Sequence, residues 1–255
     1  MAKVNDIYEF LCELAPLELQ MDFDNSGIQI GRLSSEVCKV ILSLDITDEV
    51  VDEAIGNDAE LIVSHHPLLF NAVKQITDSD PAKERILKLI ENRISVISMH
   101  TNLDIAEGGV NDVLIGLLGA APVKALDGSG CGRIGKLDTP VSIETFVKRC
   151  KKALDNKRLK YYSAGRKVSM LAVMGGAGGD SIEDAYKLGC DTYVTSDIKY
   201  HQLLRAQELG LNLIDADHFC TENPVMPVLR DKLSARFQDV EFLVSERHGQ
   251  IAEYI

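Results

Sequence analysis

The chain has 255 residues, 45% hydrophobic and 26% charged, with a net charge of -12 at pH 7 and a pI near 5.0. That length buries a sizeable core, as one large domain or two small ones, and the acidic balance excludes a generic binder of phosphate backbones, which is basic overall. No run spans a bilayer, no signal-like segment opens the chain, and the six scattered cysteines form no CxxC pair, so the expectation is a cytoplasmic protein with reduced thiols and neither membrane nor nucleic acid as a partner.

Ile7, Phe10, Leu11 and Leu14 fall at helical spacing behind Asn5 and Asp6, which predicts an opening helix. Strand, turn, helix and strand then recur. VILSLDITDEVVDEA (40–54) passes from an apolar run into a helix near Asp48. ELIVSHHPLLF (60–70) ends its apolar run at His65 and His66, and SVISMHTNLD (95–104) ends at His100 with Asp104 four residues on. GSGCGRIGKLDTP (128–140) is glycine-dense and reads as the linker between halves; SIETFVKRCKKALDNKRLKYY (142–162) reads as a basic helix. The second half repeats the pattern in LAVMGGAGGDSIEDA (171–185), in GCDTYVTSDIKYH (189–201), which ends at His201, and in LIDADHFCTE (213–222), which holds His218 and Glu222. A helix near 225–236 and strands near 240–244 and 250–255 follow.

An offset of 131 lays 40–54 on 171–185 and 58–70 on 189–201 without a gap; an offset of 118 lays His100 on His218 and Asp104 on Glu222. The expectation is an α/β fold of two related three-layer-type halves, an internal duplication with parallel-rich sheets and a dinuclear metal site between the halves. The halves are 1–127, with His65, His66, His100 and Asp104, and 128–255, with His218 and Glu222; the C-terminal strands are expected to pack back on the first half.

Imidazoles and carboxylates gathered where strands end are what a divalent metal site requires. His65, His66, Asp104, His218 and Glu222 supply three imidazoles and two carboxylates, with His100 a sixth group nearby. That set suits Zn, Fe, Mn, Co or Ni. It exceeds one tetrahedral ion and suits two ions with a shared carboxylate. Each residue taken alone is as well explained as a turn residue or a satisfied buried histidine; their joint placement is what argues for metal. Cys220 is a soft ligand or, more simply, a small buried residue, and His248 reads as a surface residue. VMGGAGGDS (173–181) is either an anion site at a helix start or a tight turn packed near the site. Lys199 and Arg133 are either contacts for a substrate anion or solvated charges.

DNSGIQIG (24–31), SHHPLLF (64–70), MHTNLDIAEGGVND (99–112), GRIG (132–135), GGAGG (175–179), TSDIKYH (195–201) and DADHFCTE (215–222), in this order, resemble the NIF-three-like dinuclear metal-centre family, many members of which are named GTP cyclohydrolase 1 type 2 homologues. The resemblance implies His65, His66, Asp104, His218 and Glu222 as metal ligands, with Glu222 bridging and His100 in the pocket. It implies two divalent ions per subunit and a two-domain subunit in a ring-shaped homohexamer. The family's Trp before the DN-x-G motif is here Phe23, expected as a packing position, and residues 125–165 are too few for the ferredoxin-like domain that some members carry. The leading expectation is hydrolytic opening of the purine ring of a nucleotide such as GTP by metal-activated water, with His100 as proton shuttle and His201 as the competing shuttle. The alternatives are a phosphoesterase or amidohydrolase acting on another small molecule, and a non-catalytic metal-binding scaffold.

Overall fold

The computed structural model describes residues 1–126 and 128–253. In chain order they form β1 (Ala2–Lys3), α1 (Val4–Leu14), β2 (Gly27–Ile30), β3 (Glu36–Val37), β4 (Lys39–Ser43), α2 (Asp48–Gly56), β5 (Leu61–Ser64), α3 (Pro81–Glu91), β6 (Ser95–Ser98) and the short α4 (Thr101–Ile105). There follow α5 (Val110–Leu117), β7 (Ala120–Ala125), β8 (Arg133–Val141), α6 (Ile143–Ala153), β9 (Lys160–Tyr162), β10 (Val168–Val173), α7 (Ile182–Lys187), β11 (Thr192–Thr195), α8 (Tyr200–Leu209), β12 (Asn212–Asp215), α9 (His218–Glu222), α10 (Val225–Arg236) and β13 (Glu241–Val244). They divide into two compact units, Met1–Ala106 with Met226–Gly249, and Glu107–Val225 with the segment from Gln250 onward.

The first unit holds a five-stranded sheet in the order β13-β4-β5-β6-β2. All four residues of β5 and of β6 are buried, as near-continuous apolar runs are in parallel strands covered on both faces. Thr47 and Asp80 cap α2 and α3 by accepting from Val50 N and Ala82 N, and Pro81 occupies the first helical position of α3, where no amide proton is missed. Ile41, Val50, Val51, Ile62, Leu89 and Val96 form its core. Each fully buried aliphatic side chain contributes about 1.5–3 kcal/mol relative to exposure.

The second unit holds a six-stranded sheet, β7-β8-β10-β11-β12-β9. Its core gathers Leu114, Phe146, Leu171, Val194 and Ile214. Two expectations change here. The 128–140 segment is not a linker: residues 133–141 form β8, paired on both sides, and only the preceding residues turn, with Gly130 and Gly132 at positive φ. The helix begun at Ser142 stops at Ala153, and Lys160–Tyr162, rich in β-favouring tyrosine, pairs antiparallel with β12. Residues 251–253 take no strand form, and 254–255 lie outside the described residues.

The duplication is visible in the pairing, and it extends one strand further than expected. β4, β5 and β6 run parallel with β2 antiparallel beyond β6; β10, β11 and β12 run parallel with β9 antiparallel beyond β12. Val40 pairs with Leu61 as Leu171 pairs with Thr192, which confirms the offset of 131. The second offset needs correction. Leu61 pairs with Ser95 as Thr192 pairs with Asn212, so the strands are related by 117. The helix starts agree, Thr101 with His218. His100 is therefore the equivalent of Asp217, the residue that caps α9, and the donors of the two units are out of step by one position.

Candidate metal centre

In the first unit the strand ends deliver the donors. Past β5 the backbone stays alongside β4, with His65 N donating to Ser43 O at 3.2 Å and His66 N to Leu44 O at 2.9 Å. The Ser64 hydroxyl is 2.7 Å from that of Ser98 and donates to His66 O at 2.8 Å, which turns the chain before Pro67. Neighbours on a regular strand point to opposite faces; here the turn brings both rings together, 5.0 Å between centroids. The His100 ring, just past β6, lies 5.2 Å from His65 and 5.5 Å from His66, and one ligand atom from each of the three falls within 4.8 Å of the others. Asp104, on α4, places Oδ1 3.7 Å from His65 Nε2.

Each ring is oriented through Nδ1. His65 Nδ1 donates to Met99 O, His66 Nδ1 to Asp45 and His100 Nδ1 to Asp24, all at 2.7 Å. Holding Nδ1–H on an oxygen fixes the tautomer that presents Nε2 as a basic ligand nitrogen. Burial pushes the Asp24 carboxyl up, but bonds from His100 and Thr101 outweigh it and hold the group well below the usual carboxylate range. Asp45 follows the same balance: burial opposes, and His248 and His66 win. Both are therefore anionic acceptors at neutral pH.

In the second unit His218 and Glu222 stand one helical turn apart on α9, with Nε2 and Oε2 3.1 Å apart. His218 Nδ1 donates to Asp197 at 2.7 Å, repeating the arrangement of the first unit. The glycine-rich turn makes the space. A Cβ on Gly176, whose φ is +65°, would lie 2.2 Å from Glu222 Oε1 and 3.2 Å from His218 Nε2, and one on Gly175 would lie 3.1 Å from Glu222 Cγ. The turn's amides are engaged within the unit: Gly175 N on Asn111 Oδ1, Gly176 N on Thr221 Oγ1 and Gly178 N on Thr195 Oγ1. This is the tight turn packed at the site.

The other expected residues fall as follows. His201 is exposed on the first turn of α8 and belongs to none of the donor groups among the described residues. Arg133 is committed to Asp112, Nε to Oδ1 at 2.6 Å; Lys199 is exposed. Burial, followed by the charge of Asp217, pushes the Cys220 thiol up to about 12, which makes it a protonated wall residue. His248 is not a surface residue: its side chain is 5% exposed and bonded to Asp45. Phe23 is not a packing position either, being 64% exposed. Asp24, Asp45, Asp197 and His248 are the contributors that the sequence reading missed. The first three carried a signal, since each stands beside a strand end or in a quoted motif, as carboxylates do when they orient histidines; His248 carried none.

A protein of Clostridium perfringens named GTP cyclohydrolase 1 type 2 homolog is 36% identical over 99% of this chain and 100% of its own length. Among solved structures, a Staphylococcus aureus protein matches with a TM-score of 0.93 at 27% identity, covering 100% of this chain and 99% of that one. Reduced HcgD from Methanocaldococcus jannaschii matches at 0.86 and 31% identity, covering 96% and 98%. The family model described as Duf34/NIF3 (NGG1p interacting factor 3) matches residues 2–250, and the chain belongs to that family.

Proposed function

We propose that this protein is a divalent-metal-dependent hydrolase with a two-metal centre, acting on the ring of a purine nucleotide in the sense that its relatives' name carries. The observation behind the reading is the common orientation of four imidazoles. His65, His66, His100 and His218 each give Nδ1–H to a carbonyl or carboxylate, as histidines do when Nε2 serves a metal. Satisfied core histidines have no need of that shared pattern beside Asp104 and Glu222.

Within the first unit His65, His66 and Asp104 would serve as metal ligands, and within the second His218 and Glu222 would do so. Mixed nitrogen and oxygen donors fit Zn, Fe, Mn, Co or Ni. Two such ions supply Lewis-acid polarisation of a substrate oxygen and ready ionisation of water near neutral pH. The chain's own part is positional. Asp24, Asp45 and Asp197 hold the rings, Gly175 and Gly176 leave room for Glu222, and His100, tied to Asp24 through Nδ1, has Nε2 as the nitrogen that gives or takes a proton. His201 remains the competing shuttle. The reading includes a homohexameric, cytoplasmic protein; light scattering that shows a stable monomer at micromolar concentration removes the hexamer.

The test is elemental analysis of the purified chain, followed by assays on nucleotide and phosphoester panels with the preferred metal added. About two divalent ions per chain with turnover of a purine nucleotide supports the proposal. Turnover of phosphoesters alone replaces the ring-opening reading. Two ions and no turnover of any substrate leaves a metal-binding scaffold.

A further inference from the structure

Two of the most exposed aromatic side chains stand beside the imidazole cluster. Phe23 is 64% exposed and Phe70 is 44% exposed. Their rings meet edge to face, 6.4 Å between centroids at 66°, and Phe70 meets the His100 ring at 6.1 Å and 87°. Exposed phenylalanine loses the benefit of burial, so two of them at one spot call for an explanation.

They are also fixed. The turn that carries Phe23 and the turn that carries Phe70 are laced together: Asn25 Nδ2 donates to Leu69 O at 2.6 Å, Leu69 N to Gln29 Oε1 at 3.1 Å, and Gln29 Nε2 to Asn25 O at 2.7 Å. Beside Phe23, the wholly buried Asp24 carboxylate accepts from His100 Nδ1 at 2.7 Å and Thr101 N at 3.0 Å. The carboxylate that orients His100 thus anchors the chain one residue from Phe23, and a separate set of bonds ties the Phe70 turn to the same segment.

We propose that Phe23 and Phe70 form a stacking rim that receives the planar heteroaromatic ring of the substrate and presents it to the imidazole cluster. The inference deepens the proposed function and rests on its purine substrate. The charge of the chain favours recognition through the base. At a net -12, with Arg133 already on Asp112, a grip led by phosphate has little support, whereas every base offers a π face that stacks on an aromatic side chain.

The chain has no tryptophan, so Phe23→Trp installs a single indole at the rim that can be excited apart from the seven tyrosines. Guanosine and GTP should quench its emission saturably, ribose 5-phosphate should not, and Phe70→Ala in the same background should raise the half-saturation for guanosine about tenfold. In the otherwise native chain, Phe23→Ala and Phe70→Ala should raise KM for the nucleotide and leave kcat nearly unchanged. Quenching by guanosine no stronger than by ribose 5-phosphate overturns the rim. So does emission that shifts on dilution alone, which would assign the two rings to contact with a second copy of the chain. If guanosine stacks but no nucleotide is hydrolysed, the hydrolase falls and the rim stands. If a nucleotide is hydrolysed and both alanine variants keep the native KM, the rim falls and the hydrolase stands.

Discussion

His248 Nε2 lies 2.9 Å from Asp45 Oδ2, on the carboxylate oxygen opposite the one that holds His66. Two imidazoles 182 residues apart in the chain thus share one carboxylate, and only His66 belongs to a donor group among the described residues. Asp45 is itself 39% exposed, and His66 and His248 hold its two oxygens from either side.

Removing that support should be felt at the metal. His248→Ala is expected to weaken metal affinity by up to about tenfold while leaving the donor set intact, the low end of the range found when the direct partner of a metal-binding histidine is lost. Isothermal titration with Zn or Mn measures it. An affinity equal to that of the native chain would mean that His66 needs no help from Asp45's second oxygen.

Gly176→Ala should both destabilise the fold and empty the site. The new Cβ meets Glu222 Oε1 at 2.2 Å and the residue keeps a φ of +65°. The backbone term alone is about 1–3 kcal/mol. Gly56→Ala is the control, because it meets no atom within 4 Å and lies in a helix, where alanine gains about 0.5–1 kcal/mol. Denaturant midpoints moving in opposite directions for the two variants is the expected result.

On the proposed metal-centre reading, Glu222→Gln should lose metal, since a neutral amide is a poorer ligand than a carboxylate. Asp104→Ala should lose one metal together with activity. His100→Ala should keep most of the metal while turnover falls by about 10²–10⁴-fold, the usual worth of a positioned proton donor or acceptor. If His100→Ala instead strips the metal, its membership of the His65–His66 group is that of a ligand and the shuttle role passes to His201 for testing.

The thiols give a pH signature. Burial raises Cys150 to about 12, and burial with the charge of Asp191 raises Cys190 to about 11, from an ordinary value near 9. These acids keep their protons in the folded chain after the unfolded chain has released them. Their contribution is therefore complete below pH 9 and declines as pH rises toward 11–12, by at most about 1.4 kcal/mol per pH unit for each group. Unfolding midpoints across pH 8–11 should show the decline, and an aromatic disulfide reagent at pH 8 should label exposed Cys38 first, with buried Cys131, Cys150, Cys190 and Cys220 silent.

The strands and the candidate donors were legible because they rest on local signals. Leu61–Ser64 and Ser95–Ser98 are short runs buried along their whole length, and donor side chains follow each within a few residues. Register was less legible. Aligning His100 with His218 matched the letters, but Ser98 is held against Ser64 and Asp215 against Thr195, and these pairings set the relation one residue away. Sequence shows identity of side chains, whereas hydrogen-bonded ladders decide equivalence. Lys160–Tyr162 was lost for a similar reason: a charged, tyrosine-rich stretch next to a helix becomes a strand only because the edge of β12 is there to pair with it. His248 was out of reach, since its partner Asp45 is 203 residues earlier.

The return of β13 to pair with β4 has a bearing on how the molecule is made. A ribosome that has produced residues 1–106 has not yet made a complete first unit, because an edge strand and His248 are still to come. The intervening 107–225 can meanwhile assemble its own sheet, at synthesis rates of about 5–20 residues per second. His65 and His66 are thus translated well before the residue that braces them, and the imidazole cluster is not finished until His248 has been made.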